Sequence, residues 1–283
     1  MKHLGFFNLV LCLAIADNCF ATCRYGCFEE EWTNEGSCGT NCSYTYDTTS
    51  QTLYVTSTGN NSSVVEGKFN SEYYEDTLPT IKNVIIDGEF KSIGMHAFNG
   101  IGATISGKNG SIVLPANGWN SFGNRVNTLQ GDIIVSDLIN RIGSGAFLNV
   151  KIDGTLVIPD NVESIGGNAF FSTSIVNGKI YCAVKDCAQK IIDSCRISPT
   201  DPTYNEAATE ACRSRLAAIV ADENKFEQAP EGCSYWSSEG CSKCTNSNYS
   251  LEYGYCYRKR YSLPEADAAT SDDNENMIEW IFE

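Results

Sequence analysis

The sequence predicts a mostly β protein with some α. The expected architecture is a short parallel solenoid, preceded by a disulfide-bonded cap and followed by a cysteine-rich module. Three observations carry that expectation. The hexapeptide Ile-Gly-x-x-Ala-Phe returns at residues 93–98, 142–147 and 165–170. A short apolar run accompanies each copy. The 14 cysteines avoid this periodic middle, since none lies among the 139 residues from 43 to 181. The middle must therefore be stable without covalent help.

Residues 1–21 read as a secretory signal. Lys2 and His3 make a basic start, residues 6–16 are apolar apart from Asn8, and Ala16 and Ala21 are small. The apolar stretch is well short of the roughly 20 residues a membrane span needs, and no later stretch approaches that length. Cleavage after Ala21 leaves 12 cysteines, an even number that suits a disulfide-bonded secreted chain; cleavage after Ala16 leaves 13. The expected divisions are the signal at 1–21, a disulfide-bonded cap with a β-hairpin at 22–79, repeats at 80–182, a helical cap or insertion at 183–230, and a cysteine-rich module at 231–283.

The repeat has a period in the low twenties. Phe147 and Phe170 are 23 residues apart, and Phe98 and Phe147 are 49 apart, close to two periods. A degenerate copy with Trp119, Asn120 and Ser121 before Phe122 fills the gap. Apolar triplets recur at 84–86, 112–114, 133–135, 156–158 and 180–182, four of them two residues after Gly110, Gly131, Gly154 or Gly178. A short β-branched run bounded by glycine reads as a strand. One strand per copy at a fixed period of this size is a solenoid signature. Pro115 and Pro159 follow their strands and end the pairing, because proline lacks the donor. In the hexapeptide the Ile and Phe are expected to point inward, the Gly to allow a tight bend and the Ala to let turns stack.

Residues 153–170 (Asp-Gly-Thr-Leu-Val-Ile-Pro-Asp-Asn-Val-Glu-Ser-Ile-Gly-Gly-Asn-Ala-Phe) resemble one unit of a BspA-like leucine-rich repeat. The front resembles the opening of such proteins: Gly36-Ser37-Cys38-Gly39 leads into two alternating segments at 43–46 and 53–56, with a polar turn between them. The resemblance covers roughly residues 38–182. It implies a leucine-rich-repeat-type solenoid, an extracellular or surface-displayed protein, a connection with adhesion, and no catalytic residues.

Past Cys182 the period fails. Residues 183–195 and 204–226 have helical character, separated by the breaker Ser198-Pro199-Thr200-Asp201-Pro202. The segment around 233–256, with Cys241-x-x-Cys244 followed by Leu251 and Cys256, resembles a furin-like or growth-factor-receptor-type cysteine-rich unit. Such small modules are held by disulfides because their cores are thin. Ser262 and Pro264 suit the start of a helix reaching residue 270, and residues 277–282 can form a terminal strand.

The candidate chemistry is sparse. Disulfide candidates are Cys23, Cys27, Cys38, Cys42, Cys182, Cys187, Cys195, Cys212, Cys233, Cys241, Cys244 and Cys256, with the pairing open. Cys241-x-x-Cys244 reads as structural before redox or metal-binding, because no helix N-terminus lowers its thiol pKa and an oxidising route consumes free thiols. His96 is the one histidine after the signal; it occupies a variable motif position, is expected to be exposed, and has no nucleophile or orienting acid beside it in sequence. Asp132 is an acid on a strand face without a matching acid in the next copy, so the paired carboxyls of a glycosidase are not evident. Residues 272–275 read as a solvated acidic turn and 258–260 as a small basic patch. Asn60, Asn61, Asn109 and Asn248 begin Asn-x-Ser sequons, as does Asn41 with cysteine in the middle, and would mark exposed loops.

A formal charge of −15 argues against a basic nucleic-acid-binding surface. The expected function is a secreted or surface-associated, non-enzymatic repeat protein for protein or glycan recognition, adhesion or extracellular structure. It would carry no cofactor, no metal and no transmembrane segment. The alternative is a secreted polysaccharide hydrolase working on the solenoid face.

Overall fold

The computed structural model describes residues 32–70, 78–118, 121–122, 127–196 and 205–259. The expected signal, Cys23 and Cys27, Trp119 and Asn120, the 198–202 breaker, and the helix and strand expected after residue 260 lie outside the described residues.

The repeats form a leucine-rich-repeat-type parallel solenoid, and from residue 104 onward each turn carries two strand steps rather than one. The first stack runs through Thr52–Ser57, Asn83–Asp87, residues 104–106, residues 128–130, Lys151–Asp153 and Ser174–Val176. Its register aligns Leu53, Val84, Ile105, Leu129, Ile152 and Ile175 in one inward column. The second stack runs through residues 111–114, residues 132–135, Leu156–Ile158, Ile180–Cys182 and Phe226–Gln228. Ile112, Ile133, Leu156, Ile180 and Phe226 align there. The triplet at 84–86 thus belongs to the first stack, and the triplets from 112 onward to the second. The missed first-stack partners are the plain tripeptides Thr-Ile-Ser, Thr-Leu-Gln, Lys-Ile-Asp and Ser-Ile-Val, in which a single apolar residue points inward.

Glycines form the corner between the stacks. A Cβ on Gly131 would lie 2.1 Å from the Gly110 carbonyl oxygen, one on Gly154 2.2 Å from Gly131, and one on Gly178 1.8 Å from Gly154. Each corner rests on the one beneath, so no side chain fits.

The return side is built on a ladder of phenylalanines. Phe69, Phe98, Phe122, Phe147 and Phe170 are all buried, with successive ring centroids 5.3, 5.7, 6.4 and 5.3 Å apart. Phe122 keeps its rung although its motif is degenerate. Phe69 is a further copy: Val64 pairs in parallel with Ile93, as Ile142 does with Ile165. The motif glycine plays a different part from the one expected. Gly94, Gly143 and Gly166 have no left-handed backbone. A Cβ on them would instead lie 2.5 Å from Glu66 N, Gly118 O and Ser144 N respectively, so close stacking requires glycine.

The left-handed bend falls two residues later, at Gly67 (φ 66°), His96 (φ 57°), Gly145 (φ 63°) and Asn168 (φ 59°). Those residue types follow from the bend, since glycine, asparagine and histidine enter this region more readily than most. His96 is buried, not exposed as expected; its segment is stacked on the neighbouring turn, with Gly67 N donating to the Met95 carbonyl and Phe69 N to the Ala97 carbonyl. Buried polar side chains satisfy backbone groups between turns: Asn127 accepts from Ala103 N and donates to the Phe98 and Phe122 carbonyls, and Thr173 donates to the Phe147 carbonyl at 2.6 Å.

Both ends are closed. At the front, the hairpin Cys42–Asp47/Thr52–Ser57 is antiparallel, and its second strand then pairs in parallel with the first repeat. Its turn is held by Asp47, which accepts from Thr49 N and Ser50 Oγ. Those bonds hold the Asp47 carboxyl below its usual range. At the back, the helices Cys187–Asp193 and Glu206–Ala221 cover the last turn. Asn205 caps the second by accepting from Ala208 N. From its middle, Arg215 donates to the Phe170 and Thr173 carbonyls, and burial lowers its pKa. Phe226–Gln228 then adds a final parallel strand.

Candidate functional site

The chain after residue 228 does not trail away from the solenoid. The hairpin Cys233–Ser237/Gly240–Cys244 and the hairpin Tyr249–Glu252/Tyr255–Arg258 form a module that packs on the outer face of the second stack. That face presents one column, Val113, Ile134, Val157, Tyr181 and Glu227. Val157 and Tyr181 are buried with Cys233, Trp236 and Cys241 in a cluster separate from the main core. Polar contacts fix the register of docking. Ser234 O accepts from Asp160 N at 3.1 Å, and Ser234 Oγ bonds the Asp160 carboxylate. Lys243 Nζ lies 3.4 Å from Asp137. Burial in this joint, with Asp137 and Glu89 nearby, pushes the Tyr235 hydroxyl up to about 12.

Two disulfides hold the module, Cys233–Cys241 and Cys244–Cys256. Cys241 and Cys244 are therefore not partners of each other. The sulfurs of Cys233, Cys241 and Cys256 lie within 4.8 Å of one another, but all three are oxidised and present no thiolate to a metal. Elsewhere Cys38 pairs with Cys42, Cys182 with Cys187 and Cys195 with Cys212, and no cysteine is free among the described residues.

At one end of the joint lies a cleft of about 340 Å³. Tyr181 and Glu227 of the solenoid form one wall; Trp236, Glu239, Tyr253 and Tyr255 of the module form the other. The Trp236 and Tyr255 ring centroids are 6.0 Å apart. Glu227 is held by both oxygens: Oε1 accepts from Trp236 Nε1 at 3.0 Å and Oε2 from Lys179 Nζ at 2.8 Å. The hydrogen bond to Glu227 raises the Lys179 pKa, and its ammonium also sits 5.6 Å from the Tyr181 ring centre. The hydroxyls of Ser237 and Ser238 line the rim.

None of the residues weighed earlier for chemistry lines this cleft. His96 is buried on the return side. Asp132 is exposed and set against Ser111, with no acid opposite. Asn60, Asn61, Asn109 and Asn248 are all exposed, as is Asn41. The acidic residues 272–275 lie outside the described residues. One sequence signal did point to the joint. The second-stack triplets are apolar at all three positions, where a strand with one wet face alternates.

This fold and joint define a leucine-rich-repeat-type solenoid with an accessory disulfide-held module. Residues 67–198 match a family model described as BspA type Leucine rich repeat region, in six copies. That stretch is similar to such repeats, and the match includes the rung at Phe69 and excludes the module. No curated protein and no solved structure matches the chain. BspA-type repeats are consistent with a repeat protein for binding or adhesion. The disulfides are compatible with an extracellular location, and among the described residues no helix is long and apolar enough to cross a membrane.

Proposed function

We propose that the chain is a secreted or surface-associated, non-enzymatic recognition protein that presents the seam between solenoid and module to an extracellular partner. The reading rests above all on the cleft, where aromatic rings and oriented acceptors converge at the joint between the solenoid and the module; binding sites favour such joints. The solenoid supplies one wall, with Tyr181 and Glu227, and the module the other, with Trp236, Glu239, Tyr253 and Tyr255. The resemblance of residues 233–256 to a furin-like unit agrees with a module held by disulfides for display rather than catalysis. The exposed sequons Asn60, Asn61, Asn109 and Asn248 are not among the residues that line the cleft.

The alternative, a secreted polysaccharide hydrolase, finds two carboxylates in the cleft, Glu227 and Glu239. Both Glu227 oxygens are already engaged by donors of the protein, which favours a fixed acceptor over a proton-transfer group. A substrate screen of the purified mature protein against glycans and peptides separates the readings. Binding without turnover supports recognition; turnover abolished by Glu239→Gln overturns it in favour of the hydrolase.

A further inference from the structure

Tyr253 stands out from every other aromatic residue of the described chain. The residue is 96% exposed, and its backbone is left-handed, with φ 50°. With Gly254 (φ 78°) it makes the two-residue turn between Tyr249–Glu252 and Tyr255–Arg258. Asparagine, aspartate or glycine suits the first position of such a turn. A tyrosine there gains no burial and carries backbone strain, so folding does not explain it. The ring stands at the mouth of the cleft beside Tyr255, which is 50% exposed.

The same mouth carries negative charge. Glu239 lines it, and Glu252 sits directly across the ladder from Tyr255. Among the described residues neither forms a salt bridge. The opposite wall already displays the matching chemistry within the chain: the Lys179 ammonium sits against the Glu227 carboxylate and the Tyr181 ring. An aromatic face beside a carboxylate attracts a cation through both quadrupole and charge. A formal charge of −15 draws basic partners and repels acidic polysaccharides. A neutral sugar would use the rings but gain nothing from the charge.

We propose that the outer half of the cleft, formed by Tyr253, Tyr255 and Glu239 with Glu252 beside them, takes the cationic head of an arginine or lysine on a basic segment of an extracellular protein. This rests on the recognition reading above and names its ligand class.

The test uses the mature protein and a short fluorescent peptide bearing an arginine pair flanked by glycine and serine, with a citrulline counterpart, followed by fluorescence anisotropy. The arginine peptide should bind saturably and weaken as salt rises. The citrulline peptide should bind roughly tenfold or more weakly, and Tyr253→Asn and Glu239→Gln should each weaken arginine binding about 3–30-fold. Tyr253→Asn suits the left-handed turn, so loss of binding by that variant is not loss of fold. Equal binding of both peptides, an unaffected Tyr253→Asn variant, or displacement of the peptide by neutral oligosaccharide overturns the proposal. A parallel overlay on extracellular matrix separates the two levels. Retained capture with no peptide binding sinks the cation reading alone, whereas no capture together with substrate turnover sinks recognition itself.

Discussion

Replacing Phe147 with alanine removes one ring from the middle of the ladder. The ring is fully buried, with Phe122 at 6.4 Å on one side and Phe170 at 5.3 Å on the other. Its neighbours are held in place: the Phe147 carbonyl accepts from Thr173, and its amide bonds to the Ala169 carbonyl on the next turn at 2.9 Å. The space left therefore collapses little. A ring-sized void of about 100 Å³, at about 24 cal/mol per Å³, accounts for about 2.4 kcal/mol. With the lost transfer energy the total is about 3–5 kcal/mol, a large share of the roughly 5–15 kcal/mol that holds a domain. Phe147→Leu, which keeps most of the volume, should cost about 1–2 kcal/mol. The control is Gln130→Ala, an exposed position on the first stack, expected within about 0.5 kcal/mol of the parent. Urea unfolding of the three purified variants gives the ranking. If Phe147→Ala unfolds no earlier than Gln130→Ala, the ring does not fill the interior and the ladder argument is wrong.

Gly143→Ala should cost about 1–3 kcal/mol in the same assay, because its Cβ would lie 2.5 Å from the Gly118 carbonyl oxygen and 2.6 Å from that of Asn117. Tyr235 ionises near 10 when unfolded and near 12 when folded, so its contribution is complete below pH 10 and is lost as pH rises toward 12. The tyrosinate absorbance of the parent should reveal that shift. After discounting for solvent exposure the change is about 1–2 kcal/mol at most, and Tyr235→Phe should remove it. Removing the Cys195–Cys212 bond, which closes 17 residues across the two capping helices, should cost about 3 kcal/mol. Peptide mapping without reduction should recover Cys195 linked to Cys212, and Cys241 linked to Cys233 rather than to Cys244.

Much of the solenoid was legible because its constraints are local and repeat. A buried ring, a glycine under a neighbouring backbone and an apolar strand recur at each turn, so residues 142–147 and 165–170 identify themselves by comparison with each other. Phe69 escaped because Val65 and Lys68 stand where the motif has glycine and alanine, while the left-handed bend at Gly67 and the burial of the ring are the same as in the other copies. The first stack escaped for a different reason. A strand with one wet face needs a single inward residue per step, and Thr-Ile-Ser or Lys-Ile-Asp is too common a tripeptide to stand out.

The amino-acid sequence by itself determined the stacked core, the disulfide-rich flanks and the acidic surface, because periodicity, cysteine placement and charge are properties of the chain alone. The left-handed, buried setting of His96 depended on how one turn lies on the next. Disulfide pairing was likewise undetermined, since the nearest cysteines along the chain, Cys241 and Cys244, bond to others. The docking of residues 233–258 onto the second stack was decided in three dimensions. The uninterrupted apolar triplets required some cover, but any apolar surface of the right shape would have met that requirement. Only the folded module, with Trp236 over Tyr181 and Glu227, defined the cover, and in doing so made the cleft.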